Sequence, residues 1–256
     1  MTRSIAVFNQ KGGVGKTTTV INLADALANK GRRVLILDLD PQGNATSGLN
    51  IEKDREEMIY DYLLGADGDF IVDVKKNLSI IPSGATLAGI EIEFARKDQW
   101  QTVLKDRMAE LSDYDYIIMD CPPSLGVLSI LALTAADGIL IPVQCEYYAL
   151  EGLSQLMESI QLVRGGFNPN LTIEGVLLTM YDGRTNLSMQ VVEEVKNYFK
   201  DAVFSTVIPR NVRLAEAPSY GMSIMDYDKN SRGGKAYASL ADEVEKRRFE
   251  WKRNVD

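Results

Sequence analysis

Lys11-Gly12-Gly13-Val14-Gly15-Lys16-Thr17-Thr18 follows the apolar run Ile5-Ala6-Val7-Phe8 and precedes Val20-Ile21-Asn22-Leu23-Ala24. The order reads as strand, phosphate-binding loop, helix. Glycines let a backbone curl until successive N–H groups point inward, and the helix that follows adds the positive end of its dipole. An oligophosphate is the natural guest of Gly12, Gly13, Val14, Gly15 and Thr18, with Lys16 reaching the outer phosphates and the Thr17 hydroxyl on Mg²⁺. The usual pattern, G-x-x-x-x-G-K-[ST], calls for glycine where Gln10 stands. What is present instead is K-G-G-x-G-K-T, with an additional lysine, Lys11, at the loop entrance. Lys11 is badly placed to fold back into its own loop as Lys16 does, and is free to serve a phosphate presented by another subunit. A plain glycine-rich turn with solvated lysines is the competing reading. The strand before and the helix after speak against it.

Working outward, 256 residues with 45% hydrophobic and 25% charged side chains describe an ordinary globular protein, read as a single domain over 1–256. The first strand starts almost at Met1-Thr2-Arg3, without a basic and then apolar leader, so a cytoplasmic location is expected. Leu125 to Val143, the most apolar stretch, contains Asp137 and reads as a buried helix followed by a strand. Cys121 and Cys145 are too far apart for a C-x-x-C motif and read as buried small hydrophobes. The chain has no histidine, which removes Ser-His-Asp and Cys-His catalysis and leaves carboxylates, lysines, hydroxyls, backbone and a bound ion. A net charge of −8 rules out a broadly basic surface. From Lys229 to Asp256, however, eight Lys and Arg face five Asp and Glu, so a nucleic-acid site would be a local patch.

Along the chain, a helix is expected from Lys16 to Lys30 with Gly31 at its end. Val34-Leu35-Ile36-Leu37 is a fully apolar strand of a sheet covered on both faces. It runs into Asp38-Leu39-Asp40-Pro41-Gln42-Gly43-Asn44, at the carboxyl end where α/β proteins bind ligands. Asp40 precedes a Pro-Gln-Gly loop suited to sensing a γ-phosphate, orienting an attacking water or meeting the ion through water. Ile51 to Asp73 reads as polar, with one short helix over Met58 to Leu64. Leu78 to Pro82 is a short strand and Gln99 to Leu111 a helix, with Trp100 as core or rim. Tyr116-Ile117-Ile118-Met119-Asp120 is an apolar strand ending in a carboxylate, the Walker B arrangement, in which Asp120 holds Mg²⁺ through a water. Pro122 and Pro123 then stop the ladder. A buried helix is expected over Leu125 to Ala136, strands over Gly138 to Val143 and Ile173 to Met180, and helices over Leu150 to Arg164 and Met189 to Lys200. A last strand is expected over Val203 to Ile208. Met180, Pro209, Arg210 and Asn211 then stand near the sheet's carboxyl end as candidate walls for a base. In the final segment Tyr237, Leu240, Val244, Trp251 and Val255 share one helical stripe, with Phe249 opposite. That pattern fits a helix docked on its own sheet better than a membrane anchor. The alternation of strands and helices predicts an α/β fold: one predominantly parallel, twisted sheet flanked by helices on both faces.

Taken together, Lys11 to Thr18, Asp38 to Asn44 and Asp120-Cys121-Pro122-Pro123 resemble the deviant Walker A P-loop ATPases. Within them, Pro142-Val143-Gln144-Cys145-Glu146-Tyr147-Tyr148-Ala149-Leu150-Glu151-Gly152-Leu153 and Pro209 to Pro218 look like the ParA/Soj DNA-partition branch. The resemblance covers nearly the whole chain. It implies an ATP-sandwich homodimer in which Lys11 crosses to the partner's phosphates, Gly12 permits close approach of two loops, and Asp40 supports hydrolysis. It further implies sequence-independent binding of double-stranded DNA in the ATP state, a nucleoid-associated location, and stimulation by a ParB-type centromere-binding protein. Arg184 and Arg213 are the DNA-contact residues by position in these motifs, with a surface salt bridge as the alternative role for each. Two other readings compete. A MinD-type membrane ATPase would need a C-terminal amphipathic anchor, and an electron-transfer protein like the nitrogenase iron protein would hold a cluster on its cysteines.

Overall fold

Seven strands make one sheet, and the loops that leave its central strands at their carboxyl ends carry the candidate residues. A computed structural model describes residues 2–95, 97–146 and 149–255; the side chains of 149–151 and 249–255 are not described. Tyr147 and Tyr148, and the side chains of Phe249, Trp251 and Val255, therefore lie outside the described residues. The strands are β1 Arg3–Val7, β2 Val34–Asp38, β3 Val72–Lys75, β4 Leu78–Ile81, β5 Tyr116–Asp120, β6 Gly138–Gln144 and β7 Thr172–Thr179. The α-helices are α1 Lys16–Asn29, α2 Asn44–Gly48, α3 Ile59–Leu64, α4 Ile90–Phe94, α5 Val103–Met108, α6 Val127–Ala135 and α7 Ala149–Gly166. They continue with α8 Asn186–Phe199, α9 Val212–Glu216, α10 Ile224–Asp228 and α11 Arg232–Val255.

The strand order is β3-β4-β2-β5-β1-β6-β7, parallel throughout except where β3 meets β4. Successive residues of a strand point to opposite faces, and here both faces are apolar. Ala6, Leu35, Leu37, Ile117, Met119 and Ile139 join one core with α3 to α8. Ile5, Val7, Ile36, Ile118 and Leu140 join the other with α1 and α11. Double coverage explains why β1, β2 and β5 read as unbroken apolar runs.

Three sequence expectations change. Val72–Lys75 forms an antiparallel edge strand, paired Val72 with Ile80, inside a stretch read as helix and coil. Its alternation lasts only four residues, too short a signal to separate from a polar loop. Val203 to Ile208 runs beside β7 without becoming a strand: Phe204 N–H donates to the Val176 carbonyl at 2.9 Å and Ile208 N–H to Leu178 at 2.8 Å. Between them the Ser205 and Thr206 N–H groups turn to the Glu243 carboxylate at 2.8 and 2.7 Å, which interrupts the ladder. The helix expected over Gln99 to Leu111 is a 3₁₀ turn, Trp100–Thr102, followed by α5. Trp100 packs against Phe94 at the core edge.

Helix α11 lies along α1, with Tyr237, Leu240, Ala241 and Val244 buried in the second core. Helix α1 is itself a hub. Its buried Asn22 accepts the Ile224 N–H at 2.6 Å, and its buried Asp25 pairs with Lys75 at 2.5 Å. The helix that begins at the phosphate loop thus anchors both α10 and the edge strand.

Candidate nucleotide site

The phosphate loop leaves β1 between β5 and β6, beside the carboxyl end of β5. Asn9 fastens its entry: Nδ2 donates to the Pro142 carbonyl at 2.7 Å, and Oδ1 accepts the Lys11 N–H at 3.0 Å. Gln10, where the usual motif has glycine, donates to the Ser159 hydroxyl of α7 at 3.0 Å. Gly13 and Gly15 take φ of 73° and 91°, values that favour glycine and curl the loop. Thr179, at the end of β7, donates to the Val14 carbonyl at 2.8 Å and closes the loop from the other side. Helix α1 opens at Gly15 with no side-chain cap, so its first N–H groups remain for an anion.

Lys16 is only 7% exposed, and its Nζ rests on the Lys11 carbonyl at 3.1 Å. Burial lowers its pKa, against the attraction of Asp120 and Asp40. Those carboxylates come from neighbouring strands, where Asp120 is in register with Val7 of β1 and with Asp38 of β2. Both Asp120 oxygens are buried without a hydrogen bond of full geometry. Burial first, and then the Asp38 and Asp40 charges, push its pKa well above the carboxylate range, opposed by the Thr17 hydroxyl and Lys16. A cation is what such a group lacks. Hard oxygen donors at Asp120 and Thr17 fit Mg²⁺, which takes one or two protein oxygens and shares the rest of its shell with phosphate and water. Among the described residues no cluster of three or more His, Cys, Asp and Glu is arranged to hold a metal. The ion would therefore come with the nucleotide.

Asp40 lies on the turn after β2. Its Oδ1 accepts the Gln42 N–H at 3.0 Å, and its own N–H donates to Asp38 Oδ1 at 3.2 Å. Asp38, which the sequence reading passed over, is fully buried and accepts both the Thr46 N–H at 2.9 Å and its hydroxyl at 2.7 Å. Burial raises its pKa to about 6 against those hydrogen bonds. The strand register with Asp120 is the signal that finds it.

Met180, Pro209, Arg210 and Asn211 line one cavity of about 380 Å³ with Gly15 and Thr18. Two stretches nearly thirty residues apart, Met180 and Pro209 to Asn211, thus become the wall of a mainly apolar chamber opening beside the phosphate loop. Met180 sits at φ 51°, and Tyr237 of α11 also reaches the chamber, its hydroxyl 3.2 Å from that of Thr19. The place of Tyr237 on the apolar stripe of α11 points to packing alone, and the fold adds this second position at the chamber wall. Arg210 pairs with Glu146 at 3.2 Å.

Arg184 and Arg213 lie apart from this cluster, on the surface. Arg184 clasps Asp182 with Nε at 2.9 Å and a terminal nitrogen at 2.6 Å. Arg213 meets Glu216 at 3.0 Å, the Tyr227 hydroxyl at 3.4 Å and Asp228 at 3.9 Å. Cys121 and Cys145 are both buried, and burial pushes the Cys145 thiol up to about 11. Neither presents a thiolate for a cluster shared between subunits.

Sheet, glycine loop and paired strand-end carboxylates define a P-loop nucleoside triphosphatase. A model of the AAA domain matches residues 2–173. The sporulation initiation inhibitor protein Soj of Bacillus subtilis (strain 168) is 58% identical over 250 residues, 95% of this chain and 98% of the relative. The chromosome partitioning protein ParA of Myxococcus xanthus (strain DK1622) is 52% identical over 250 residues, 96% of this chain and 88% of the relative. Among solved structures, a cobyrinic acid a,c-diamide synthase from Mycobacterium smegmatis with bound ADP and magnesium superposes with a TM-score of 0.83. It is 38% identical, over 94% of this chain and 93% of that one. The chain belongs to the Soj/ParA family of partition ATPases.

Proposed function

We propose that the chain is an ATP-driven DNA-partition switch that works as a pair. ATP lies with its phosphates on the Gly12–Thr18 backbone and its base in the chamber of Met180, Pro209, Arg210 and Asn211. Thr17, Asp120 and Asp40 would hold Mg²⁺, which would supply charge neutralisation for the phosphates. Lys16 neutralises the outer phosphates, and Asp40 orients the attacking water. The observation that carries this reading is the buried carboxylate of Asp120, facing Lys16 and the Thr17 hydroxyl at the foot of a phosphate loop whose Gly15 and Thr18 also line the chamber.

Lys11 and Gly12 extend the proposal to a second chain. A Cβ on Gly12 would meet nothing within 4 Å, and its φ is not among the positive ones. Nothing inside the chain demands glycine there, which fits a loop that another copy approaches closely. The pair brings two sets of Arg184 and Arg213 to double-stranded DNA, raising avidity and tying binding to the nucleotide state. A ParB-type partner stimulates hydrolysis and releases the DNA, and the protein resides on the nucleoid. The whole described chain acts as one ATPase domain.

The test is DNA binding by the full chain, on two unrelated duplexes, with ATP, with ADP and without nucleotide. Binding is expected only with ATP, equal on both duplexes, falling steeply with salt. Binding that ignores ATP or salt would refute it. A membrane role rests on a C-terminal apolar face, and the described part of that face, Tyr237, Leu240 and Val244, is buried against the chain itself. Among the described residues no helix is long and apolar enough to cross a membrane.

A further inference from the structure

The loop that presents Asp40 is held by a strand that carries no candidate residue. β4 lies beside β2, with Leu37 opposite Ile81. Two residues past β4 stands Ser83, a wholly buried serine with both of its polar groups in use. Its Oγ donates to the Asp40 carbonyl at 2.8 Å, and its N–H donates to the Thr46 hydroxyl at 2.9 Å. Thr46, also wholly buried, passes its own hydroxyl proton to Asp38 Oδ2 at 2.7 Å, while Asp38 Oδ1 takes the Asp40 N–H at 3.2 Å. The circuit runs from Asp40 through Ser83, Thr46 and Asp38 back to Asp40. It fixes the backbone of Asp40 on both sides of its Cα. Gly43 N–H adds a second donor to the Asp40 carbonyl at 2.8 Å. The loop passes so close to β4's end that a Cβ on Gly43 would lie 2.7 Å from the Ser83 carbonyl.

We infer that Ser83 and Thr46 are positioning residues for hydrolysis, setting where the Asp40 carboxylate stands relative to the phosphate loop. The inference rests on the proposed role of Asp40. Neither hydroxyl touches nucleotide or water in the reaction. Each acts through the backbone of Asp40. The circuit also gives a role to two fully buried hydroxyl residues packed against the Pro41-Gln42-Gly43 segment, Thr46 of α2 and Ser83 after β4: they convert a loop into a fixed mount. A displacement of about 1 Å at a catalytic group is enough to cost a large factor in rate.

The experiment measures steady-state ATP hydrolysis and the affinity for a fluorescent ADP analogue in the full chain, with thermal melting of every variant. Asp40→Asn is the reference and is expected to abolish hydrolysis. Ser83→Ala leaves Asp38 with both Thr46 bonds and the Asp40 carbonyl with Gly43. It is expected to keep its melting point within a few degrees and its ADP affinity within about twofold while kcat falls by roughly tenfold to a hundredfold. Thr46→Val is expected to lose kcat likewise, and Thr46→Ser, which keeps the hydroxyl, to recover most of it. A kcat unchanged in Ser83→Ala with Asp40→Asn inactive overturns the positioning role alone. Full hydrolysis by Asp40→Asn overturns the catalytic reading of Asp40 and the positioning role with it. Where Thr46→Val does not fold, Ser83→Ala decides by itself.

Discussion

Asp120 shows most plainly what a single residue costs the resting chain and gives to its function. A fully buried carboxylate opposes folding, and here two more carboxylates, Asp38 and Asp40, outweigh the relief that the Thr17 hydroxyl and Lys16 bring. Replacing it with an uncharged amide removes the repulsion. Asp120→Asn is expected to melt at a higher temperature than the parent without nucleotide, by an amount corresponding to about 1–3 kcal/mol, and to lose the rise in melting point that Mg²⁺ adds over ATP alone. Thermal melts with and without Mg²⁺ check both halves. Asp38 gives the pH dependence. Its pKa rises from 3.8 to about 6 on folding, so across that interval the native state binds more protons than the unfolded chain. This contribution to stability is present below pH 3.8 and is lost as pH rises through 6. Asp38→Asn should flatten the decline in stability between pH 4 and pH 7, read from denaturant titrations at each pH.

At the level of elements, α1 ties the phosphate loop to the rest of the fold, because it starts at the loop and is clamped along its length. The Thr19 and Tyr237 hydroxyls, 3.2 Å apart, tie it to α11 beside the base chamber. Tyr237 is wholly buried, and burial pushes its hydroxyl pKa far above the usual value, so it stays protonated and available as a donor. Tyr237→Phe leaves the Thr19 hydroxyl unpaired in the core. The expected loss is about 1–2 kcal/mol, a fall of several degrees in melting temperature, with a weaker affinity for ATP. The glycine loop supports a complementary expectation. A Cβ at position 12 has room inside the chain, so in Gly12→Ala nucleotide binding should persist while ATP-dependent pairing, followed by light scattering or analytical ultracentrifugation, is weakened.

On the scale of the whole molecule, the base chamber and the two surface arginines are built on the same pair of segments. Met180 and Arg184 lie on one, Pro209 to Asn211 and Arg213 on the other. The two are joined by Tyr181 N–H to the Ile208 carbonyl at 3.0 Å and Arg210 N–H to the Tyr181 carbonyl at 3.1 Å. In a protein of net charge −8, each arginine also meets its own carboxylates, Asp182 for one and Glu216 with Asp228 for the other. Exposed pairs of this kind are weak and open readily to a phosphate. Arg184→Ala and Arg213→Ala should each weaken ATP-dependent DNA binding on any sequence. Each should also reduce the slope of log affinity against log salt by about 1 per chain, with ATP affinity intact.

Local sequence pattern alone was enough for the parallel sheet and the glycine loop at its centre. Six runs of strand length, glycines before Lys16 and carboxylates after two of the runs are local patterns, and local patterns fix secondary structure. It could not determine what depends on residues distant along the chain. The edge strand Val72–Lys75 exists because β4 offers it a partner, and Val203 to Ile208 fails to become a strand because Glu243, on α11, takes its N–H groups. Asp38 looked like one polar residue in a turn until β5 set it opposite Asp120, and Ser83 had no motif at all. The chamber of Met180, Pro209, Arg210, Asn211 and Tyr237 draws on three separate stretches. Lys11 remains the residue at which sequence and tertiary structure meet: its place in the loop was legible at once, while the open space over Gly12 that leaves the loop accessible to a second copy appeared only once the chain was folded.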